Sequence, residues 1–182
     1  DMVITNPSET KKIQDCLLNA IYSWASKGAL TGSINGQGYV ERVSLVIPVA
    51  AAFLKINQLY PNDNRVNVIK KWLETMEKGN WNNFKGRTTN LKTWAVLAHY
   101  LVAIATQNED MYNESLREFV KQVNFIEDSG TIKTELERKQ LASRYIVYYA
   151  APLVTMQYML KVTNNPAYNQ PKIHNLVNLV IN

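Results

Sequence analysis

The sequence predicts an all-α protein built from antiparallel helical hairpins arranged around a curve. Apolar residues recur at intervals of three and four along most of the chain, which is the period of an α-helix. Short segments rich in glycine, asparagine and proline separate these stretches. Nearly apolar stretches alternate with amphipathic ones, so we expect inner helices to pack against outer helices.

Start and stop signals place the first two helices. The cluster Asn6-Pro7-Ser8-Glu9 is typical of a helix start, and Gly28 ends the apolar pattern that follows. Residues 28–38 hold four of the seven glycines and are predicted to be a loop. The second helix carries Pro48, which should kink it because proline removes a backbone donor. Helices are predicted over residues 7–27, 39–59, 62–78, 90–107, 109–126 and 135–163, with a last amphipathic segment over 173–181.

The third helix is predicted to end at a glycine-marked loop. Pro61-Asn62-Asp63-Asn64 is a turn and helix cap, and an amphipathic pattern follows it. Residues 79–89 are predicted to be a loop that carries Trp81, Phe84 and Arg87. Aromatic, amide and basic side chains on a loop are typical of sugar contacts. The alternative is that the two aromatic rings only anchor the loop.

The remaining helices differ in how much apolar surface they carry. Trp94 to Ala105 is almost wholly apolar, so the fourth helix is predicted to be an inner element. The fifth starts at an Asn108-Glu109-Asp110 cap and is amphipathic. Residues 127–130 are predicted to be a turn and 131–134 a short extended connector. Asn164-Asn165-Pro166 ends the long sixth helix.

Two residues of the predicted sixth helix are candidates for chemistry. Arg138 and Tyr145 are seven positions apart, which places them on one helical face, and Pro152 continues this line. Tyr148 and Tyr149 flank it, so a guanidinium group and three phenols would share one side of the helix. The alternative is a helix with half-buried tyrosines and an arginine at its solvated start.

The charge of the chain favours an anionic polymer as partner. The formal net charge is +5 and the pI is about 9.2, but the 20 Lys and Arg residues are dispersed along the chain. Dispersed charge suits an acidic polymer in a groove. No zinc-ligand spacing, aromatic RNA-binding motif or basic helix is present, so the sequence predicts no nucleic-acid partner.

Composition also limits cofactors and membrane association. Cys16 is the single cysteine and lies in an apolar pattern, so no disulfide or thiolate metal site forms within the chain and the residue is predicted to be in the core. There are only two histidines, too few for a histidine-rich metal site, so we predict no metal and no cofactor. No uncharged apolar run is long enough to span a bilayer, so no membrane partner is predicted.

Several segments resemble one known family. In the first half these are Cys16-Leu17-Leu18-Asn19, Trp24-Ala25, Gly28-Ala29-Leu30 and the stretch Arg42 to Leu54. In the second half they are Asn90 and Trp94, Asp110 to Asn124, Gly130, Glu135-Leu136-x-Arg138-x-Gln140, Tyr145, Tyr148 and Pro152-Leu153. Over about residues 12–162 the chain resembles the bacterial alginate (polymannuronate) lyases of polysaccharide lyase family five. Asn90 and Trp94 resemble the second asparagine and the tryptophan of the family's Asn-Asn-His-x-x-Trp motif.

The resemblance implies a fold, a reaction and a site. The fold would be an incomplete (α/α) toroid with a central groove for the polymer. The reaction would be β-elimination on a uronate polymer, in which Asn90 holds the carboxylate, Tyr145 acts as base, acid or both, and Arg138 favours the charged form of Tyr145. These three are the predicted catalytic residues. The predicted substrate-binding residues are Arg42, Arg87, Lys92, Trp94, Tyr148 and Tyr149.

The resemblance has two departures. Leu91 stands where the family has histidine, and Thr89 replaces the first asparagine, so a charge neutraliser is missing; Lys92 is a candidate substitute, although adjacent helical side chains point about 100 degrees apart. The family's mobile lid with its catalytic lysine also precedes the part that is resembled. Residues 1–182 are therefore expected to form one lyase-like domain, shortened at both ends relative to the family.

Three functions remain open from the sequence. The first is a lyase that cleaves an acidic, alginate-like polysaccharide by β-elimination, as a monomer in the periplasm or as a secreted protein. The second is a catalytically impaired, lyase-like glycan-binding protein, which the leucine at position 91 favours. The third is a helical protein-interaction scaffold. For the first two, Asn90, Arg138 and Tyr145 are expected to converge on one concave face.

Overall fold

The computed structural model describes residues 7–181, which contain eight α-helices, two short 3₁₀ helices and no strand. The α-helices are α1 (Pro7–Ser26), α2 (Gly36–Asn57), α3 (Asn64–Phe84), α4 (Asn90–Thr106), α5 (Glu109–Asn124), α6 (Lys133–Leu136), α7 (Ala142–Val162) and α8 (Pro171–Ile181), with 3₁₀ helices at Lys139–Leu141 and Pro166–Tyr168. The predicted all-α class is confirmed. Asn6, part of the predicted start signal of the first helix, lies outside the described residues.

Helix α4 is the centre of the structure. It packs against α2, α3, α5 and α7, and nearly all of its side chains are buried. This agrees with the prediction of an inner helix, because a helix that is apolar on every side can be stable in water only when other helices cover it. Helices α2, α3, α5 and α7 therefore share α4 as their common packing partner.

Helix α3 continues six residues beyond its predicted end. The predicted loop over residues 79–89 is wrong for residues 79–84, which are helical. Trp81 and Phe84 are almost completely buried, and burying two aromatic side chains outweighs the cost of about 1 kcal/mol for Gly79 inside a helix. A Cβ atom at Gly79 would lie 3.2 Å from Nη1 of Arg42, so the small residue also makes room for that arginine.

The long helix predicted over residues 135–163 is interrupted at its start. Residues 133–136 form α6, residues 139–141 form a 3₁₀ helix, and α7 begins only at Ala142. Lys139 has a φ angle of 55°, and a left-handed residue cannot continue a right-handed helix. The predicted extended connector is reduced to Ile132, because α6 already begins at Lys133. Arg138 and Tyr145 therefore do not lie on one helix.

Three smaller features of the fold bear on the sequence predictions. Helix α2 begins at Gly36 because Asn35 caps it: Oδ1 of Asn35 accepts a hydrogen bond of 2.8 Å from the N–H of Gly38. The prediction that Cys16 belongs to the core is wrong, since the residue is exposed on α1. Within residues 7–181, every helix is too short or too polar to cross a membrane.

Gly130 fixes the turn that holds α8 against the end of α5. Its φ angle is +84°, and a Cβ atom there would lie 2.3 Å from the backbone oxygen of Asn175. We expect Gly130→Ala to lower the free energy of unfolding by about 2 kcal/mol, because the substitution adds both a left-handed strain and a backbone clash. Chemical denaturation measures it. Gly36→Ala is the matched control, since a Cβ atom there meets nothing within 4 Å, and equal stabilities of the two variants would contradict the prediction.

Candidate functional site

A groove of about 420 Å³ opens between four helices at the N-terminal end of α4. Helix α2 contributes one stripe of residues at helical spacing, α3 contributes its last residue, and α4 and α7 contribute residues of their first two turns. The lining residues are Val40, Val43, Ser44, Ile47, Phe84, Asn90, Leu91, Trp94, Tyr145 and Tyr148. The structure thus brings four of the predicted site residues into one groove, namely Asn90, Trp94, Tyr145 and Tyr148.

A buried carboxylate links the α4 terminus to the groove wall. Glu135 is fully buried; its Oε1 accepts a 2.7 Å hydrogen bond from the backbone N–H of Asn90, and its Oε2 accepts a 2.6 Å hydrogen bond from Nε of Arg138. Thr89, the N-cap of α4, makes no side-chain cap bond, so Glu135 caps the helix instead. The guanidinium carbon of Arg138 then lies 4.0 Å from the ring centroid of Tyr145.

Glu135 is the residue of this site that the sequence predictions missed. Arg138 and Tyr145 meet as expected, but across the break between α6 and α7, where Glu135 holds Arg138, and not on a shared helical face. A glutamate beside an arginine carries no signal for this role. The observation that identifies the role of Glu135 is its hydrogen bond to the backbone of Asn90, which is 45 positions away in the sequence.

Asn90 lines the groove and has a buried polar atom without a hydrogen-bond partner in the described part of the chain. The residue is 4% exposed, and this atom is its side-chain Oδ1. Buried polar side-chain atoms are normally hydrogen-bonded, so a buried carboxamide with a free side in a groove is suited to bind a ligand. Since oxygen and nitrogen of a carboxamide are assigned and not observed, it can turn either atom toward that ligand.

The aromatic rings of the groove carry arginines on their outer sides. Tyr145 and Tyr148 meet edge to face with ring centroids 6.1 Å apart. Nε of Arg144 donates a 3.2 Å hydrogen bond to the Tyr148 hydroxyl group, and its guanidinium carbon lies 5.4 Å from that ring centroid. Arg87, a predicted substrate-binding residue, is exposed and packs in the same way on Phe84, at 5.2 Å. None of these arginines is among the residues that line the groove.

Four predicted substrate-binding residues do not line the groove: Arg87, Arg42, Lys92 and Tyr149. Tyr149 is fully buried, its hydroxyl group donates a 2.9 Å hydrogen bond to the backbone oxygen of Gln122, and burial raises its pKa. The guanidinium group of Arg42 is held by the carbonyl oxygen of Gly32 at 3.1 Å. The prediction that Tyr149 contacts the substrate is therefore corrected. Adjacent side chains on a helix point in different directions, so Tyr149 is buried although Tyr148 lines the groove.

Two predictions about Lys92 are also corrected: that it contacts the substrate, and that it substitutes for the missing histidine. It is 1% exposed, and its Nζ lies 3.5 Å from the ring centroid of Trp81 and 3.5 Å from Oε2 of Glu118. Burial lowers the pKa of Lys92, and the carboxylate of Glu118 opposes this effect. The Lys92 side chain points away from the groove because Lys92 is the next residue after Leu91, which does line the groove, and adjacent helical side chains point in different directions.

A second polar cluster lies on the far side of α4. The ring of His99 stacks on Trp81 at 4.0 Å between centroids, and its Nδ1 lies 3.2 Å from Oε1 of the fully buried Glu77. Burial raises the pKa of Glu77, and the hydrogen bond with His99 opposes this effect. Glu114 accepts a 2.8 Å hydrogen bond from the indole N–H of Trp81. This cluster joins α3, α4 and α5 and does not reach the groove.

A family model described as "Alginate lyase" matches residues 12–182. The chain belongs to the alginate lyase family. Among curated relatives of this family member, a polysaccharide lyase of Stenotrophomonas maltophilia (strain K279a) is 29% identical over 160 residues, which are 84% of this chain and 48% of the relative. An alginate lyase of Pseudomonas fluorescens (strain SBW25) is 28% identical over 149 residues, covering 76% of this chain and 40% of the relative.

Solved structures confirm the fold expected for the family. The crystal structure of alginate lyase A1-III from Sphingomonas species A1 matches with a TM-score of 0.78 at 19% identity, over 91% of this chain and 51% of that chain. A tyrosine-to-phenylalanine variant of A1-III, complexed with a tetrasaccharide, matches with a TM-score of 0.74 at 18% identity and the same coverage. The predicted incomplete (α/α) toroid is therefore confirmed. The chain spans about half the length of the relatives that it matches.

The alginate lyase family member has no preassembled metal site in residues 7–181. No group of three or more His, Cys, Asp or Glu side chains in that range is placed to hold a metal ion. The chemistry that the groove offers comes from Tyr145, from the carboxamide of Asn90 and from the nearby guanidinium group of Arg138.

Proposed function

We propose that this chain carries a catalytic groove of a polysaccharide lyase that cleaves an alginate-like uronate polymer by β-elimination. The observation that supports it best is the arrangement of Asn90 and Tyr145 in one groove, with Arg138 against the Tyr145 ring. Family membership supports the same reaction class, because relatives of this chain are named alginate lyase or polysaccharide lyase.

In the proposed reaction Tyr145 handles the protons. As phenolate it takes the C5 proton of the bound sugar, the C5–H electron pair forms the C4–C5 double bond, and the C4–O bond breaks. The leaving oxygen then takes this proton back from the Tyr145 hydroxyl group, which returns Tyr145 to the phenolate. Negative charge builds up on the carboxyl group at C5, where the Asn90 carboxamide donates a hydrogen bond. Arg138 holds the Tyr145 ring in place through the cation–π contact.

Elimination on a panel of uronate polymers tests this proposal. The product carries a C4–C5 double bond next to a carboxyl group, which absorbs ultraviolet light, so the reaction is followed directly without a coupled enzyme. A rise in absorbance on at least one polyuronate is expected. No rise on any of them, with a protein that is folded by circular dichroism, would overturn the lyase proposal and favour the second candidate below.

Polymer binding is expected to weaken as ionic strength rises. The net charge is +5, and Arg87 and Arg144 are exposed beside the rings that line the groove. Exposed charges are screened over about 8 Å at physiological ionic strength, so contacts between these arginines and polymer carboxylates lose strength with added salt. Affinity measured by calorimetry across a salt series tests it. Affinity for a polyuronate that does not change with salt would contradict the prediction.

The second candidate is a non-catalytic glycan-binding protein on the same scaffold. Leu91 favours it, because this residue lines the groove next to Asn90 and offers no proton and no charge. Such a protein would bind the polymer tightly, and the ultraviolet signal would stay flat. We further propose that the protein works as a monomer, in the periplasm or outside the cell, where polysaccharides are met. Light scattering and cell fractionation of the native host test these two points.

A further inference from the structure

A second cavity, of about 440 Å³, lies between α3, α4 and α5. It shares no lining residue with the groove around Tyr145. Its lining includes the carboxylates of Glu74 and Glu114 and the imidazole ring of His99. The proposed lyase reaction uses none of these groups.

His99 carries a buried ring nitrogen without a hydrogen-bond partner. The residue is 3% exposed and lines the cavity, and its Nε2 has no partner in the described part of the chain. Nδ1 of the same ring lies 3.2 Å from Oε1 of the fully buried Glu77. Because a carboxylate accepts hydrogen bonds, Nδ1 holds the proton of the neutral ring and Nε2 keeps its lone pair. A buried lone pair at a cavity wall is suited to bind a ligand.

The Glu114 carboxylate lies beside this lone pair. Its Oε1 accepts a 2.8 Å hydrogen bond from the indole N–H of Trp81, and its Oε2 lies 3.4 Å from Nε2 of His99. No hydrogen bond joins Oε2 and Nε2. A negatively charged oxygen and a lone pair at this distance repel each other unless a positive charge lies between them. The pair therefore favours a cation as its ligand.

The spacing of these two atoms matches the ligands of a tetrahedral metal ion. Zn²⁺ binds nitrogen and oxygen ligands at about 2.1 Å, which places two ligand atoms of a tetrahedron about 3.4 Å apart. The ring of His99 is held in position by stacking on Trp81, with 4.0 Å between centroids. Metal-binding histidines commonly donate their other N–H to a carboxylate, and Glu77 is placed to accept it.

We propose that Nε2 of His99 and Oε2 of Glu114 bind a divalent transition-metal ion of the Zn²⁺ type, with water from the cavity as the remaining ligands. With two protein ligands, the site fills only when the ion is supplied, unlike a structural zinc site with four. The ion joins α4 to α5 and stabilises the fold, and the inference is independent of the proposed lyase function.

The other charged groups of the cavity permit a cation. Glu74 lines it and adds a second negative charge. Lys78 and Lys85 also line it, but both are exposed, so water and salt screen their repulsion of the ion.

Calorimetric titration of the metal-free protein with Zn²⁺ tests the inference. The exposed Cys16 thiol and the exposed His174 imidazole can bind the ion on their own, so the titration is repeated in a Cys16→Ser, His174→Ala background. We expect saturable binding in both proteins, and a Tm that rises by about 4 °C or more at a Zn²⁺ concentration about 100 times Kd. Mg²⁺ prefers oxygen ligands and should give no such rise. Absence of saturable binding in the background protein would overturn the inference.

Nitrogen-15 NMR identifies the ligand atom in the same background. The chain has two histidines, so His99 is the one that remains after His174 is replaced. Zn²⁺ is expected to shift the Nε2 resonance of His99, because the ion binds its lone pair. Saturable binding with an unchanged Nε2 resonance would place the ion elsewhere and overturn the inference.

Glu114→Gln is expected to weaken Zn²⁺ binding by about 10-fold or more, because it removes the charged ligand. This side chain is 39% exposed and the variant keeps an acceptor for Trp81, so we expect it to fold. His99→Phe keeps a flat ring against Trp81 and should abolish binding; if it does not fold, Glu114→Gln decides. Glu109→Gln is the control, since Glu109 is exposed on α5 outside the cavity and its loss should leave the affinity unchanged. Wild-type affinity in Glu114→Gln would overturn the inference.

Discussion

Tyr145→Phe is expected to reduce elimination by about 10²- to 10⁴-fold while the protein stays folded, because proton transfer by a positioned side chain contributes about this much to a rate. The phenyl ring still fills the place between Arg138 and Tyr148, so the cation–π and edge-to-face contacts remain. The side chain is partly exposed in the groove, so loss of the hydroxyl group should change the free energy of unfolding by less than about 1 kcal/mol. Initial rates and thermal unfolding of the purified pair measure both effects.

Tyr149→Phe is the matched control for this experiment. It is the same chemical change four positions later on α7, but the hydroxyl group of Tyr149 is buried and donates a hydrogen bond to Gln122. We expect a loss of about 1 kcal/mol in stability and no loss of rate per folded molecule. If Tyr145→Phe instead destabilises the protein and retains activity within a few-fold, Tyr145 is a structural residue and the proposed mechanism is wrong.

Glu135→Ala is expected to lower the free energy of unfolding by about 3 kcal/mol, because it removes two charge-assisted hydrogen bonds from a fully buried site. The backbone N–H of Asn90 loses its partner at the first turn of α4, and Arg138 loses the group that holds it over Tyr145. Activity should fall as well, through kcat more than through KM, because Glu135 positions the catalytic groups without lining the groove.

Two variants separate the role of Glu135 from a general loss of charge. Glu137→Ala removes a carboxylate two positions away on the exposed side and should change stability by no more than about 0.5 kcal/mol. Glu135→Gln retains an acceptor for the Asn90 N–H but weakens the pair with Arg138, so it should recover part of the stability and less of the activity. A Glu135→Ala protein with wild-type stability and kcat would show that the link between α4 and Tyr145 is dispensable.

The sequence by itself determined the helical architecture. The three-and-four spacing of apolar residues identified the main helices, and the unbroken apolar run from Trp94 to Ala105 identified α4 as the inner one. The Asn108-Glu109-Asp110 capping signal placed the start of α5 at Glu109. These features are local, because each depends on residues within a few turns of one another, and so they can be taken from the sequence alone.

Helical phase predicted the site residues only in part. It separated residues that share a face, but it did not say which face meets the groove and which meets the core. Tyr148 lines the groove and Tyr149 is buried; Leu91 lines the groove and Lys92 is buried. The positive charge of Lys92 favoured this residue over Leu91 as the ligand contact. In the structure Lys92 instead packs against Trp81 and Glu118.

The tertiary structure alone decided how the groove is assembled. The Glu135 carboxylate contacts the Asn90 backbone across 45 positions, and the helix is interrupted at the left-handed Lys139, with Arg138 against the Tyr145 ring. Helix α2 contributes mostly aliphatic residues to the groove, and the arginines that contact Phe84 and Tyr148 are not among its lining residues. Contacts between distant segments follow from the packing of whole helices, whose energy is shared among many side chains, and no short sequence pattern encodes them.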